Sequence, residues 1–267
     1  MSANLFPRQK ENLVLVNAFL TNSLVLRGLI DYLGRFFRVH FIDLPGFIRD
    51  VPPLSEVSLE NYADYVRRRL DDLGLDSYLL GGISFGFAVI SHLRPDERCR
   101  GVVAITPYLS ARWLNLGLVK RSSYAFLVRM ALAFDLPTKV WNHRFFHRVF
   151  HWYSDYPAER IDTLLSQMEG RTFFETARII LSHRRPCRFH ERPYVLILSH
   201  ADRTVKNDPL LKFFEENVER LKVVRVGFDH YPLEVTEDYF QSRFPQEDIR
   251  QIIGFFGGDP PSHFLDR

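Results

Sequence analysis

The segment that most restricts the fold of this 267-residue chain is Ser77-Tyr78-Leu79-Leu80-Gly81-Gly82-Ile83-Ser84-Phe85-Gly86. An apolar strand runs straight into Gly-x-Ser-x-Gly, and the helix-compatible stretch Phe87-Ala88-Val89-Ile90-Ser91-His92-Leu93 follows at once. Strand, sharp turn, helix is the arrangement that holds a serine on a strained turn with its hydroxyl presented outward. Gly82 and Gly86 then have a steric role, because close strand–helix packing leaves no room for a Cβ. The five-residue pattern alone also fits an ordinary βα turn with a capping serine. Its surroundings have to decide.

Those surroundings alternate strands with helices. Leu13–Val16 is a short apolar run, and Thr21-Asn22-Ser23 offer N-cap residues to a helix expected over Leu24–Phe37. Arg38–Leu44 reads as a second strand closed by Pro45-Gly46, and Leu59–Leu73 as an amphipathic helix with Tyr62, Tyr65, Val66 and Leu70 on one side. The strand into Ser84 with its helix comes next, then a strand over Gly101–Thr106. From Tyr108 to about Arg192 this rhythm stops, and the pattern predicts helices at Leu116–Phe134, Thr138–Trp152, Pro157–Glu169 and Phe173–His183. It resumes with a strand at Tyr194–Ser199, a helix at Pro209–Leu221, a strand at Lys222–Val226 and a helix at Gln246–Phe256. Such alternation predicts an α/β fold with a mostly parallel sheet covered on both faces. The nearly continuous apolar strands agree with burial on both sides. The expected division is a core of residues 1–107 and 193–267 and a helical insertion, or cap, at 108–192, with about six strands.

Composition narrows the function classes. Apolar residues at 46% and aromatics at 14% suffice for one large core, and 24 phenylalanines hint at a further apolar surface such as a cleft. A net charge of only +3 does not suggest a nucleic-acid binder. The insertion carries fourteen Lys or Arg against seven Asp or Glu, hence +7, which leaves −4 for the rest of the chain. Cys99 and Cys187 make no disulfide framework. Residues 1–12 are polar with no apolar leader run, and Leu13–Val16 is too short to span a bilayer. A cytoplasmic location is the expectation.

A nucleophilic Ser84 needs a base and an acid to orient that base. In a parallel sheet both must lie at the carboxyl ends of later strands, on the same edge. His200-Ala201-Asp202 follows the strand ending at Ser199, and Gly227-Phe228-Asp229-His230 follows the one ending at Val226. The order Ser, Asp, His is one of those known for this triad. Taken singly, Asp202 also fits a loop carboxylate paired with Arg203, and His230 a surface histidine. Asp229 is a rival acid, but a loop neighbour seldom points its side chain at the same ring.

With Gly82–Gly86, Asp202 and His230 in that order, the chain resembles the alpha/beta-hydrolase superfamily with an inserted cap, over about Leu13–Phe256. The resemblance implies a nucleophile elbow at Ser84, an acid at Asp202 after the penultimate strand and a base at His230 after the last. Asp43-Leu44-Pro45-Gly46 is similar to the family's structural Asp-x-Pro-Gly stretch. Some members carry the acid after the strand that follows the elbow; Thr106-Pro107-Tyr108-Leu109 offers no carboxylate there. The oxyanion hole implied is the backbone N–H of Phe85 together with that of Phe19, or else Leu20. The family usually has His-Gly before the second donor, where this chain has Asn17-Ala18, and alanine lacks glycine's freedom at positive φ. The short stretch before Leu13 leaves no room for the antiparallel hairpin that often starts the fold.

The expected activity is hydrolysis of carboxylic esters through an acyl-enzyme, requiring no metal or organic cofactor. The expected partner is a small-molecule ester with an apolar acyl or aryl group, and no nucleic acid. Phe145, Phe146, Phe150 and Trp152 are candidates to line the acyl pocket, with Phe173 and Phe174 nearby and plain packing of the insertion as the alternative. C–C bond hydrolysis of a vinylogous diketone acid, and thioester or amide hydrolysis, would use the same triad. Epoxide hydrolases and dehalogenases normally have an aspartate at the elbow, so Ser84 argues against them. A non-catalytic ligand- or partner-binding member would usually have lost a triad residue; only Asn17-Ala18 points that way. His143, His147 and His151 recur at i, i+4 and i+8, but no nearby carboxylate or cysteine completes a metal site, and Arg144 and Arg148 oppose a cation. They read as a polar face or substrate-facing lip. Arg184, Arg185 and Arg188 form either a solvated face or an attractor for an anionic substrate or acidic lipid.

Overall fold

The computed structural model describes residues 10–153, 156–184, 189, 191–200 and 202–257. The first half of the core runs β1 (Asn12–Val16), α1 (Arg27–Gly34), β2 (Arg38–Ile42), α2 (Leu59–Leu73), β3 (Tyr78–Ile83), α3 (Phe85–Ile90) and β4 (Cys99–Ile105). The insertion follows, with a 3-10 turn at Ala111–Trp113 and then α4 (Leu118–Ala133), α5 (Leu136–Val140), α6 (Arg144–Tyr153), α7 (Ala158–Gln167) and α8 (Gly170–Ser182). The core closes with β5 (Tyr194–Ser199), α9 (Asn207–Asn217), β6 (Leu221–Val226), α10 (Glu237–Arg243) and α11 (Gln246–Phe256).

The six strands form one parallel sheet in the order β2-β1-β3-β4-β5-β6. The chain winds outward from β1 to β2, then returns to the other side of β1 as β3. The switch point therefore lies between β1 and β3, where parallel sheets open a crevice at the carboxyl edge. Register puts Val16 beside Gly82, so the loop leaving β1 meets the turn leaving β3.

Successive strand residues point to opposite faces, and both faces are covered. Val14, Val16, Leu80, Leu196 and Leu198 join a core with Tyr62, Val66, Phe87 and Phe214 from α2, α3 and α9. Leu13, Leu15, Leu79, Val195 and Ile197 join another with Tyr32, Phe240, Ile249 and Ile252 from α1, α10 and α11. Trp141, Ile161, Leu164 and Leu165 of the insertion belong to the first of these clusters, so core and insertion share one apolar interior.

Three expectations about elements need correction. The helix expected over Thr138–Trp152 is two helices, because Trp141 turns inward and donates its indole N–H to the Met168 carbonyl at 2.9 Å. His143 Nδ1 then accepts from Phe145 N at 3.2 Å at the start of α6. Helix α1 begins at Arg27 rather than Leu24: Thr21 Oγ1 serves the preceding loop by accepting from Ala18 N at 3.0 Å, while Asn22 Oδ1 accepts from Val25 N at 3.0 Å and caps the turn that leads into the helix. Helix α10 was not anticipated, although its start has the expected chemistry: Thr236 accepts from Tyr239 N at 3.2 Å, and Glu237 and Asp238 occupy the first turn.

Candidate active site

Ser84 sits between β3 and α3 at φ 48° and ψ −112°, a conformation that a side chain resists. The surroundings enforce it. Ser84 N donates to the Ile105 carbonyl at 2.9 Å, while the Ser84 carbonyl accepts from Phe87 N at 3.0 Å and Tyr108 N at 3.1 Å. A Cβ on Gly82 would lie 2.6 Å from the Phe87 backbone, and one on Gly86 2.5 Å from the Asn17 carbonyl oxygen. Glycine at these two places is a packing requirement.

The loops after β5 and β6 bring Asp202 and His230 to this turn. His230 Nε2 lies 2.7 Å from Ser84 Oγ, and His230 Nδ1 lies 2.8 Å from Asp202 Oδ2. The other Asp202 oxygen accepts from Thr204 N and Val205 N, both at 2.8 Å. Burial pushes the Asp202 carboxyl up, but the hydrogen bond and charge of His230 and these two N–H groups outweigh it and hold the pKa below the usual value. An ionised Asp202 assigns the proton of His230 to Nδ1, which leaves Nε2 as the acceptor for the serine hydroxyl. Asp229 is not the ring's partner: its Oδ1 accepts the backbone N–H of His230 at 2.7 Å, and its other oxygen faces Arg203 at 3.7 Å.

Phe85 is the first residue of α3, where a backbone N–H has no intrahelical acceptor. The β1 loop that carries Phe19 is organised by Asn17, which is fully buried. Asn17 Oδ1 accepts from Leu44 N at 2.8 Å, and its Nδ2 donates to the carbonyls of Ala18 at 3.0 Å and Thr21 at 2.8 Å. The non-glycine residue at positive φ in this loop is Leu20, at 58°, and not Ala18. Asn17-Ala18 thus needs no glycine: the asparagine stitches the loop, and the unusual backbone sits two residues later. Asp43 joins in by accepting from Ser23 N at 2.7 Å.

Beside Ser84, Asp202 and His230 lies a cavity of about 780 Å³ whose lining includes Leu20, Phe150, Tyr156, Thr204, Tyr231 and Leu233. Of the four aromatic pocket candidates only Phe150 lines it. Phe146 packs on Trp141 with ring centroids 5.4 Å apart, as part of the interior. Phe145 and Trp152 are 68% and 80% exposed, which corrects their expected place in the pocket. They stand seven residues apart on the outward face of α6, whereas 146 and 150, four apart, share the inward face.

Sequence reasoning overlooked Tyr231. Its ring centre lies 5.0 Å from that of His230, and its phenol lies close to the Ser84 side chain. Burial first, then the neighbouring Tyr156, pushes its phenol above the ordinary range, which keeps it a proton donor at neutral pH. The only available signal was position: an aromatic side chain directly after His230.

The three histidines of α6 and its leading turn do not converge. His147 Nε2 meets the Trp141 carbonyl at 2.8 Å, His151 Nε2 meets Asp162 Oδ1 at 2.8 Å, and His143 caps α6. No group of three or more His, Cys, Asp or Glu side chains among the described residues could hold a metal ion. Arg184 is exposed, while Arg185, Arg188 and Cys187 lie outside the described residues. No helix among the described residues is long and apolar enough to cross a membrane.

Comparison with known proteins agrees with the fold. No curated protein sequence matches the chain significantly. Among solved structures, an epoxide hydrolase of Bacillus megaterium is similar at 18% identity and a TM-score of 0.65, covering 93% of this chain and 94% of the other. A hydrolase from Oleispira antarctica gives 14% identity and 0.67 over 94% and 92%. A thermophilic esterase from Thermogutta terrifontis gives 14% and 0.63 over 93% and 91%. At such identities the likeness shows a common fold. The sequence profile of the alpha/beta hydrolase family matches residues 13–241, from the start of β1 into α10. A six-stranded parallel sheet, a serine on the turn after its third strand and a profile spanning most of the chain make this protein a member of the alpha/beta hydrolase family.

Proposed function

We propose that the chain is a serine hydrolase of carboxylic esters acting through an acyl-enzyme on Ser84. The observation that carries this reading is the unbroken Asp202–His230–Ser84 chain, at 2.8 and 2.7 Å, ending on a serine held at the elbow. Ser84 Oγ attacks the ester carbonyl as its proton passes to His230 Nε2. Asp202 holds the ring and stabilises the imidazolium. The N–H groups of Phe85 and Phe19 receive the oxyanion; such a donor contributes about 3 kcal/mol to lowering the barrier. His230 then protonates the departing alcohol. A water molecule, deprotonated by the same nitrogen, attacks the acyl carbonyl and releases the acid and Ser84. These steps need only side chains, backbone N–H groups and water.

In this reading residues 108–192 form a cap over the carboxyl edge of the sheet, and Phe150 and Tyr156 give the pocket an apolar wall. Thioester and amide substrates would follow the same steps with another leaving group. A non-catalytic binder would have no use for a strained serine aligned with a buried histidine. A cytoplasmic setting belongs to the same reading, supported by the free, buried thiol of Cys99.

The test is labelling with a fluorophosphonate probe followed by mass spectrometry. The expected result is a single adduct on Ser84, lost in His230→Ala. A folded protein that takes no label on Ser84 overturns the proposal.

A further inference from the structure

Helix α4 breaks the usual rule for surface helices. Its sequence, Leu118-Val119-Lys120-Arg121-Ser122-Ser123-Tyr124-Ala125-Phe126-Leu127-Val128-Arg129-Met130-Ala131-Leu132-Ala133, is apolar on nearly every side and holds no acidic residue. Such a helix is normally buried. Here Ala131 alone is buried, and Leu118, Val119, Phe126, Leu127 and the following Phe134 are each at least 60% exposed. Where α4 meets the end of α8 there is a cavity of about 320 Å³ lined by Arg121, Arg129 and Arg184 with Ser122 and Ser182, and with no carboxylate in its lining. Arg121 donates to the Ala111 carbonyl at 2.7 Å, and none of the three arginines forms an ion pair with a described residue.

We propose that α4 docks the protein on an anionic phospholipid surface, its apolar side chains entering the acyl boundary and the arginine-lined cavity receiving a lipid phosphate. Exposed apolar surface rimmed by cations, with no anion supplied by the fold, is the chemistry such a surface complements. A second copy of this chain would bring the same arginines and repel.

The test is flotation of the full chain with vesicles of phosphatidylcholine alone, or of phosphatidylcholine and phosphatidylglycerol in equal parts. Binding is expected only with the anionic vesicles, weakening with salt. Arg129→Gln and Arg184→Gln should each lower the partition roughly fivefold. Val119→Glu with Phe126→Glu should abolish it while leaving turnover of a soluble ester unchanged. Equal partition into both vesicles, or binding that survives both arginine changes, overturns the proposal. So does self-association in sedimentation, abolished by Val119→Glu, without vesicle binding.

A separate observation bears on the substrate. Arg160 of α7 is 8% exposed and has no ion pair with any described residue. Its Nε is buried without a hydrogen-bond partner, Nη1 donates to the Pro232 carbonyl, and Cζ lies 4.2 Å over the Tyr156 ring. A guanidinium taken out of water with no counter-charge among the described residues is costly, and one stacked ring offsets only part of that. Tyr156 and Tyr231, both beside Arg160, line the cavity, whose charged lining residues are Arg203, Asp229 and Glu234; Arg160 stands behind the two tyrosines, and Tyr231 stands beside His230. We infer that Arg160 sets substrate charge, and that the esters hydrolysed carry a carboxylate. This rests on the ester hydrolase reading above.

The experiment compares p-nitrophenyl pentanoate with mono-p-nitrophenyl glutarate. The wild type should favour the anionic ester in kcat/KM by about tenfold or more, and Arg160→Gln should lose about thirtyfold on it with little change on the neutral one. Arg160→Lys should keep part of the preference. Parallel loss on both esters makes Arg160 a strut for the His230 loop and overturns the inference, as does a wild type indifferent to charge. Should Arg160→Gln fail to fold, the lysine variant and the wild-type comparison decide. Binding of glutarate to Ser84→Ala, read as a thermal shift, separates the two readings: Arg160-dependent binding without turnover of either ester leaves the anion site standing and removes the hydrolase.

Discussion

Leu13 and Val14 in β1 point to opposite faces of the sheet, and both are buried. Phe145 and Phe146 in α6 are also neighbours, yet the first faces outward and the second packs inside. The difference lies in what surrounds each element. A central parallel strand has a covered face on each side, so any apolar residue in it finds a partner. A helix of the insertion has one partner face, and which side it turns inward depends on neighbours distant in sequence. The chemistry-bearing groups follow the same division: those on core loops meet at one edge of the sheet, whereas those of α6 scatter.

This contrast can be broken most severely at the core. Ser84→Ala should lower kcat by about 10⁶-fold with an unchanged fold, measured by ester turnover and circular dichroism. Asp202→Asn should cost about 10⁴-fold in kcat, because the ring would face the wrong proton partner. That variant also changes acid stability. The depressed carboxylate pKa of Asp202 stabilises the fold above the ordinary aspartate range, and this contribution is lost as pH falls through the folded-state value. Thermal melts from pH 7 down should therefore show a shallower acid decline in Asp202→Asn than in the wild type.

Packing around the elbow comes next. Gly86→Ala forces a Cβ onto the Asn17 and Val16 carbonyl oxygens, and should cost about 1–3 kcal/mol in urea unfolding along with most of the activity. Asn17→Ala leaves Leu44 N and the Thr21 carbonyl without their partner, while the Ala18 carbonyl keeps Thr21 Oγ1, and should cost a similar amount, roughly 1–3 kcal/mol, with a loss in kcat larger than the rise in KM if the loop positions the Phe19 N–H.

The insertion should give the smallest effects where sequence alone would have looked for function. Phe145→Ala and Trp152→Ala should each stay within about 0.5 kcal/mol of wild-type stability and leave kcat/KM for a soluble ester unchanged. Phe150→Ala, one helical turn from Phe146 and on the cavity wall, should raise KM. Equal behaviour of all three variants would erase the distinction between the two faces of α6.

Much of the core could be read from residues in order. Apolar runs marked all six strands, and their parallel alternation put the ends of β3, β5 and β6 on one edge, with Ser84, Asp202 and His230 just beyond. Local rules suffice there, because a buried strand and a tight turn impose their residue types within a few positions. Sequence did not divide α5 from α6, since at the break Trp141 meets a partner distant in the chain, the Met168 carbonyl that accepts its indole hydrogen. Nor did it foresee that Thr21 serves the β1 loop, that Asn17 replaces the need for glycine there, or that Tyr231 stands beside the His230 ring. Distances of 2.7 and 2.8 Å among three side chains separated by up to 146 residues belong to the tertiary structure alone. So does the choice of which apolar residues of the insertion remain in water. Periodicity shows that a helix has faces; only its neighbours in space decide which one is covered.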